Sequence, residues 1–251
     1  MWLFKRYICR EKYNKKVFCN VKSVRLQTSI KQFSQKKAGV KFSVFCESFT
    51  GKSSFIASLM RMPEPEGQIL IDDQDIQDLS LPIYRSRISV IPQDPVLFSC
   101  PLRLNLDPGT EFEDVQIWNA LEAVQLKSFI QKQDGKLYCK ISEGGQNFSV
   151  GEKQLLCLAR ALLQKNKVII LDEATANVDF ATDRLIQETI RSRFHGCTVI
   201  TIAHRVDTIL DYDRVLVLEG GKVVEFDKPE LLLKNDAGKF AELCRLQQVT
   251  I

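Results

Sequence analysis

Histidine is scarce. Only His195 and His204 occur in 251 residues, and no two of the eight cysteines form a C-x-x-C pair. Together these absences exclude the usual zinc sites. The cysteines, Cys9, Cys19, Cys46, Cys100, Cys139, Cys157, Cys197 and Cys244, are scattered singly, which fits a reducing compartment. Long apolar runs are missing too. No stretch approaches the ~20 apolar residues of a membrane-spanning helix, and Met1-Trp2-Leu3-Phe4 before Lys5-Arg6 is too short an apolar run for a signal peptide. Work at a membrane would go through a partner or through further chain. Glycine and proline are absent before Gly39, so the candidate strands at 17–21 and 23–26 lack hairpin punctuation. Acids are nearly absent from residues 1–41, which hold twelve Lys/Arg against Glu11, whereas the remainder holds twenty-three basic and thirty acidic residues. A basic leader can touch an anionic surface, but a solvated terminus is the simpler reading, and no nucleic-acid partner is expected.

What is present is an ordinary globular composition, 45% hydrophobic and 26% charged, long enough for one large α/β domain or two small ones. Its organising stretch is Val168-Ile169-Ile170-Leu171 running into Asp172-Glu173. A short apolar run reads as a buried strand, and the carboxyl ends of strands in an open α/β sheet are where ligands bind. Taken alone, the run fits a solvated strand end as well as a site.

The earlier chain supplies context. Residues 41–46 read as a strand, Gly51-Lys52-Ser53-Ser54 follows, and 55–60 continue as a helix ended before Pro63. Strand, G-K-S, helix is the setting a phosphate-binding loop demands, with helix-terminal N–H groups cradling phosphates. Residues 67–73 read as a turn into a strand, 81–87 as a helix, and 88–91 as a strand stopped by Pro92 and Pro95, with Gln93 at its end. Helical spacing dominates 97–165. Within it, Ser142–Gln154 is a polar, glycine-rich loop entering a helix, with Ser149 and Glu152 spaced as a capping box. Residues 181–194 read as a helix, 197–202 as a strand with His204 at its end, and 215–225 as two strands around Gly220-Gly221. A last helix is expected near 237–248. His195 sits in a turn and receives no role.

In this order the motifs resemble an ABC-transporter nucleotide-binding domain over about residues 40–250. Leu171-Asp172-Glu173-Ala174-Thr175-Ala176-Asn177-Val178-Asp179, with Asn147-Phe148-Ser149-Val150-Gly151, is similar to the second such domain of the C subfamily, of the multidrug resistance-associated kind, type four most of all. The resemblance implies ATP and Mg²⁺ as cofactors. It implies Gly51, Lys52, Ser53 and Ser54 in a Walker A loop, and Ser53, Gln93 and Asp172 toward the metal. Glu173 becomes the catalytic base, assisted by Gln93 and His204. Phe148, Ser149, Val150 and Gly151 become a signature facing ATP held by another nucleotide-binding domain, and Asp179 closes the D-loop. Head-to-tail pairing with that second domain, transmembrane domains outside this chain, and a place at the cytoplasmic face of a membrane follow from the same resemblance.

Departures accompany it. Where the family loop has glycines, this chain has Cys46 and Phe49; the signature's usual Gln and Arg are Glu152 and Lys153; and no aromatic residue for adenine stacking occurs from Cys19 to Gln32. The expected fold is α/β: a P-loop NTPase core sheet with helices on both faces, a helical subdomain at about 97–165, and a degraded N-terminal antiparallel β piece. Residues 1–41 form the basic leader and 42–251 the ATP-binding domain. The expected function is the ATP-hydrolysing cassette of an exporter. Its alternatives are a non-hydrolytic pairing module and a truncated fragment. A chromosome-maintenance ATPase would need heptad arms between residues 54 and 149, which the sequence lacks.

Overall fold

The computed structural model describes residues 39–46, 52–62, 64, 67–72, 74–203 and 206–247. Of the basic leader at 1–41, where the degraded β piece is expected, residues 1–38 lie outside them.

β1 (Lys41–Cys46) is the central strand, paired in parallel with β6 (Thr198–Ala203) on one side and β7 (Arg214–Glu219) on the other. β5 (Val168–Asp172) and β4 (Ile88–Ile91) continue the parallel sheet beyond β6, and β8 (Lys222–Asp227) closes the far edge antiparallel to β7. The order is β4-β5-β6-β1-β7-β8. A separate two-stranded piece pairs β2 (Leu70–Ile71) with β3 (Gln74–Asp75).

Side chains alternate across the sheet, and each face buries its own set. Ile169, Leu171 and Val199 point toward the helical layer, while Val44, Ile170, Ile200 and Ile202 pack with Phe55, Leu59 and Tyr84 on the opposite face. Strands buried on both faces need apolar residues at nearly every position. The runs Val168–Leu171 and Val199–Ala203 have them, apart from Thr201.

α1 (Lys52–Leu59) follows β1, and α2 (Leu81–Ser86) leads into β4. The helical subdomain holds α3 (Leu102–Leu106), α4 (Asp114–Ala123) and α5 (Lys127–Gln131). It is closed by the long α6 (Val150–Gln164), whose Leu155, Leu156, Leu158, Ala159 and Leu163 are buried. α7 (Phe180–Arg193) joins β5 to β6. α8 (Pro229–Leu233) and α9 (Lys239–Leu246) follow the hairpin, and Phe240 meets Phe45 edge-on at 6.5 Å. The sheet thus carries helices on both faces and the helical insertion expected between β4 and β5.

The first glycine of the chain guards the entry to β1. Gly39 has φ +88°, and a Cβ there would stand 2.3 Å from the His195 carbonyl oxygen. Only glycine combines that backbone with so close an approach.

Candidate functional site

Parallel pairing puts the carboxyl ends of β1, β4, β5 and β6 at one edge of the sheet. Phe45 lies opposite Ala203, Asp172 opposite Ile202, and Ile91 opposite Leu171. Four chain segments therefore leave the sheet side by side: the segment into α1, the segment carrying Gln93, Asp172-Glu173, and the segment beyond Ala203. This is the edge where α/β sheets bind ligands. Lys52 and Ser53 open α1 at it, with Ser54 half-buried in the first turn. Gly51 and His204 lie outside the described residues.

The far end of α1 is clamped. The Tyr84 hydroxyl donates to the Leu59 carbonyl, and Arg85 donates from Nε to Met60 O at 2.9 Å and from Nη2 to Arg61 O at 2.9 Å. Burial pushes the Tyr84 hydroxyl up to about 12, so it remains a donor at any working pH. Cationic donors on the last carbonyls favour the helix dipole and fix the axis along which the first turn faces the sheet edge.

Asp172 and Glu173 are half-buried. Glu173 has φ +47°, an uncommon backbone for a residue with a side chain, and its N–H donates to Ile202 O at 3.2 Å. The Glu173 carbonyl accepts from Ala176 N at 3.0 Å, turning the chain sharply after the strand. A cavity of about 40 Å³ lies beside Glu173, with Leu171, Ile186, Ile190 and Thr201 in its lining. It is far smaller than the roughly 300–1,000 Å³ of ligand pockets, so it cannot enclose a nucleotide.

The loop at 142–149 is held by its own polar groups. Ser142 N and Oγ both donate to Asn147 Oδ1, at 3.1 and 2.9 Å, and Lys153 Nζ donates to Gly144 O at 2.9 Å. The expected capping box is present: Glu152 N donates to Ser149 Oγ at 3.2 Å and Ser149 N donates to Glu152 Oε2 at 2.7 Å. Ser149 and Val150 are exposed. Phe148, in contrast, is buried. Its ring is 5% exposed and packs edge-on against Phe129 at 5.9 Å, because the helical subdomain needs an apolar plug where the loop meets α6.

Gly151 is buried against α7, where a Cβ would meet Thr182 Cγ2 at 3.0 Å and Oγ1 at 3.1 Å. Thr182 in turn donates from N and Oγ1 to Asp179, at 3.0 and 2.7 Å. Asp179 is the N-cap of α7, and its hydrogen bonds from the Thr182 side chain and then backbone hold the carboxyl below its ordinary range. The cap was legible as Asp before a helix, although the sequence reading gave Asp179 only a place in a loop. The contact through Thr182 left no signal in the sequence, nor did the left-handed backbone of Glu173.

Asp172 ends β5 as a carboxylate, a hard oxygen donor by its chemistry, at the edge toward which α1 opens. Among the described residues no three His, Cys, Asp or Glu gather as a metal cage. That donor set fits a magnesium ion held by one carboxylate, a hydroxyl, water and nucleotide phosphates better than a cation held by protein alone.

A family profile described as ABC transporter matches residues 25–176. The chain is 49% identical over 210 residues to the human protein named ATP-binding cassette sub-family C member 4, covering 84% of this chain and 16% of that protein. It is 53% identical over 208 residues to the Caenorhabditis elegans protein named multidrug resistance protein mrp-7, covering 82% and 14% respectively. A solved structure titled as a bacterial Atm1-family ABC exporter with ATP bound matches with a TM-score of 0.78 at 32% identity, over 84% of this chain and 38% of that one. The chain spans about a sixth of the length of these curated relatives. No helix among its described residues is long and apolar enough to cross a membrane.

Proposed function

Because the chain belongs to the ABC transporter family, as a nucleotide-binding domain of its C subfamily, we propose that it binds ATP with Mg²⁺ and hydrolyses it to drive export of organic anions or drugs. The observation that carries this reading is the delivery of Asp172 and Glu173 to the sheet edge that α1 opens onto. In this reading the chain works at the cytoplasmic face of a membrane, the plasma membrane in the first instance. It is the second nucleotide-binding domain of its transporter, with transmembrane domains supplied by further chain or partners.

The roles follow from position and chemistry. The N–H groups of the α1 first turn and Lys52 hold the phosphates. Ser53, Asp172 and Gln93 hold the metal, which when bound neutralises charge developing on the phosphates. Glu173 accepts the proton of the attacking water, and Gln93 and His204 keep that water in line. The signature at 148–151 presents the exposed Ser149 and Val150 to a nucleotide on a second nucleotide-binding domain in a head-to-tail pair, with Phe148 and Gly151 buried behind them. Phe180, 77% exposed one residue after Asp179, and Val150, 45% exposed, add apolar surface for that partner.

Glu173→Gln tests the base. Phosphate release at this site should fall by about 10²–10⁴-fold while ATP-driven pairing persists. The partner's own site is silenced first, so residual turnover belongs to this chain, and unchanged turnover defeats the role. A second reading, a module that lends only its signature face, draws on Cys46 and Phe49 in the phosphate loop. Ser149→Arg separates a partner face from a mere cap: pairing measured by light scattering should vanish while the circular dichroism of the domain is kept. An unfolded variant would mark Ser149 as structural.

A further inference from the structure

Gln154 is polar, 2% exposed, and one helical turn inside α6. Its side-chain amide reaches across to the end of β4, where Nε2 donates to Pro92 O at 2.9 Å and to Gln93 O at 2.8 Å. Backbone carbonyls only accept, so the NH₂ end must face them, and the orientation of the amide follows from chemistry. Its Oε1 is buried and accepts from no group among the described residues. A glutamine spends that uncompensated acceptor only where its donors are needed.

Arg160, about 9 Å further along the helix axis, repeats the gesture. It donates from Nη1 to Val96 O at 3.1 Å, from Nε to Asn105 O at 2.6 Å and from Nη2 to Asn105 Oδ1 at 3.1 Å. Asn105 is fully buried and holds Phe98 at both ends, accepting from its N–H at 2.8 Å and donating to its carbonyl at 3.0 Å. The irregular segment 92–98 thus has carbonyls at Pro92, Gln93, Val96 and Phe98 served by α6 directly or through Asn105. Leu97 lies against Gly145 in the approach to α6, where a Cβ on the glycine would come within 3.0 Å of the Leu97 methyl.

We infer that Gln154 and Arg160 are positioning residues that lace the Gln93 segment to the start of α6, so that the group facing the chain's own nucleotide and the group facing the partner's nucleotide move as one body. A loop without a regular ladder of its own takes its shape from whatever satisfies its carbonyls. Here that is the helix that begins at Ser149. A displacement of Gln93 is carried to the first turn of α6 through hydrogen bonds at 2.8–2.9 Å from the buried Gln154 side chain. The inference rests on the ATP-binding reading for its meaning but not for its mechanics.

Hydrogen–deuterium exchange on the whole chain, at a concentration where light scattering gives a monomer, tests it in two arms. Gln154→Met keeps the volume and removes both donors; Arg160→Lys keeps charge and one donor group and serves where the first variant fails to fold. Without nucleotide, amides at 93–99 and at 150–153 should accelerate together, at least tenfold, with the Gly220-Gly221 turn unchanged. Acceleration of one segment alone overturns the lacing. With saturating MgATP, the parent should slow exchange in both segments. In Gln154→Met the response at 93–99 should remain and the response at 150–153 fall by more than half, which loss of stability alone would not produce. A variant that transmits the full response overturns the proposal. A parent that responds nowhere to MgATP overturns the nucleotide reading, and the first arm still decides the lacing.

Discussion

Gly151 shows how much one missing Cβ can carry. It stands in the first turn of α6, where glycine is disfavoured on propensity, yet its bare Cα lets α6 and α7 approach until a Cβ would touch Thr182 at 3.0 Å. The Thr182 side chain has nowhere easy to turn, because its hydroxyl is bonded to Asp179. Gly151→Val should therefore destabilise the domain by about 1–3 kcal/mol, the range of overpacking in a close-packed contact. Thr182→Ala introduced with it should cost less than the two single changes together, by at least about 0.5 kcal/mol. Urea denaturation of the four proteins in the cycle measures this, and strict additivity would mean that the two residues do not share the contact. Glu173 lies at the opposite extreme, a side chain placed where glycine is preferred. A left-handed backbone costs such a residue roughly 1–2 kcal/mol, and strain of this kind persists where surroundings over-determine it. The Ile202 carbonyl, on the neighbouring strand, is one of those surroundings.

Elements, more than single residues, were what the sequence made legible. The largely apolar runs at 41–46, 88–91, 168–172 and 198–203 form strands of a sheet covered on both faces, where side chains of both orientations can be buried. Ser149 with Glu152, and Gly220-Gly221 between alternating strands, declared a helix start and a hairpin through local chemistry alone. Contacts between elements were not legible. Gln154 has the helix-compatible polarity of any exposed residue, and nothing in its neighbours along the chain says that it is buried against carbonyls sixty residues away. Asp179 belongs with the local signals, and its titration offers a test of α7. The Thr182 hydroxyl and N–H hold the folded carboxyl below its ordinary range, so the charged cap is worth more folded than unfolded. Its contribution is present above the unfolded carboxylate value, near 4, and is lost as pH falls through the lower folded value. Thermal melts of the parent and of Asp179→Ala should differ at pH 6 and converge as the pH drops below the ordinary carboxylate range. A gap that stays constant into that acid range would assign the difference to packing instead of charge.

Taken whole, the molecule sets two departures from the family's phosphate loop in a sound frame. The sheet order, the clamp on the far end of α1 and the carboxylates at the end of β5 are all in place. Two of the departures, Cys46 and Phe49, fall at or just after the end of β1; the Cys46 backbone closes β1, and Phe49 lies outside the described residues. A phosphate loop works because glycines let successive N–H groups turn inward, some with φ > 0 or with no room for a Cβ. A Phe that refuses such a backbone redirects the loop, and charge-assisted hydrogen bonds of roughly 1.5–3 kcal/mol each go with it. Two lost bonds correspond to about a hundredfold or more in affinity. On this reading Lys52 alone should not replace them, and the lack of an aromatic between Cys19 and Gln32 should remove adenine stacking as well. Because the frame that aims the loop is intact, repair should be disproportionately effective. The unmodified chain should bind MgATP weakly, and Cys46→Gly with Phe49→Gly should recover at least tenfold, read by titration calorimetry on both proteins. Tight binding before repair, or no gain after it, would mean that the loop reaches its phosphate-binding shape with Cys46 and Phe49 in place, and the reading as a weak binder would fall while the fold and the family would stand.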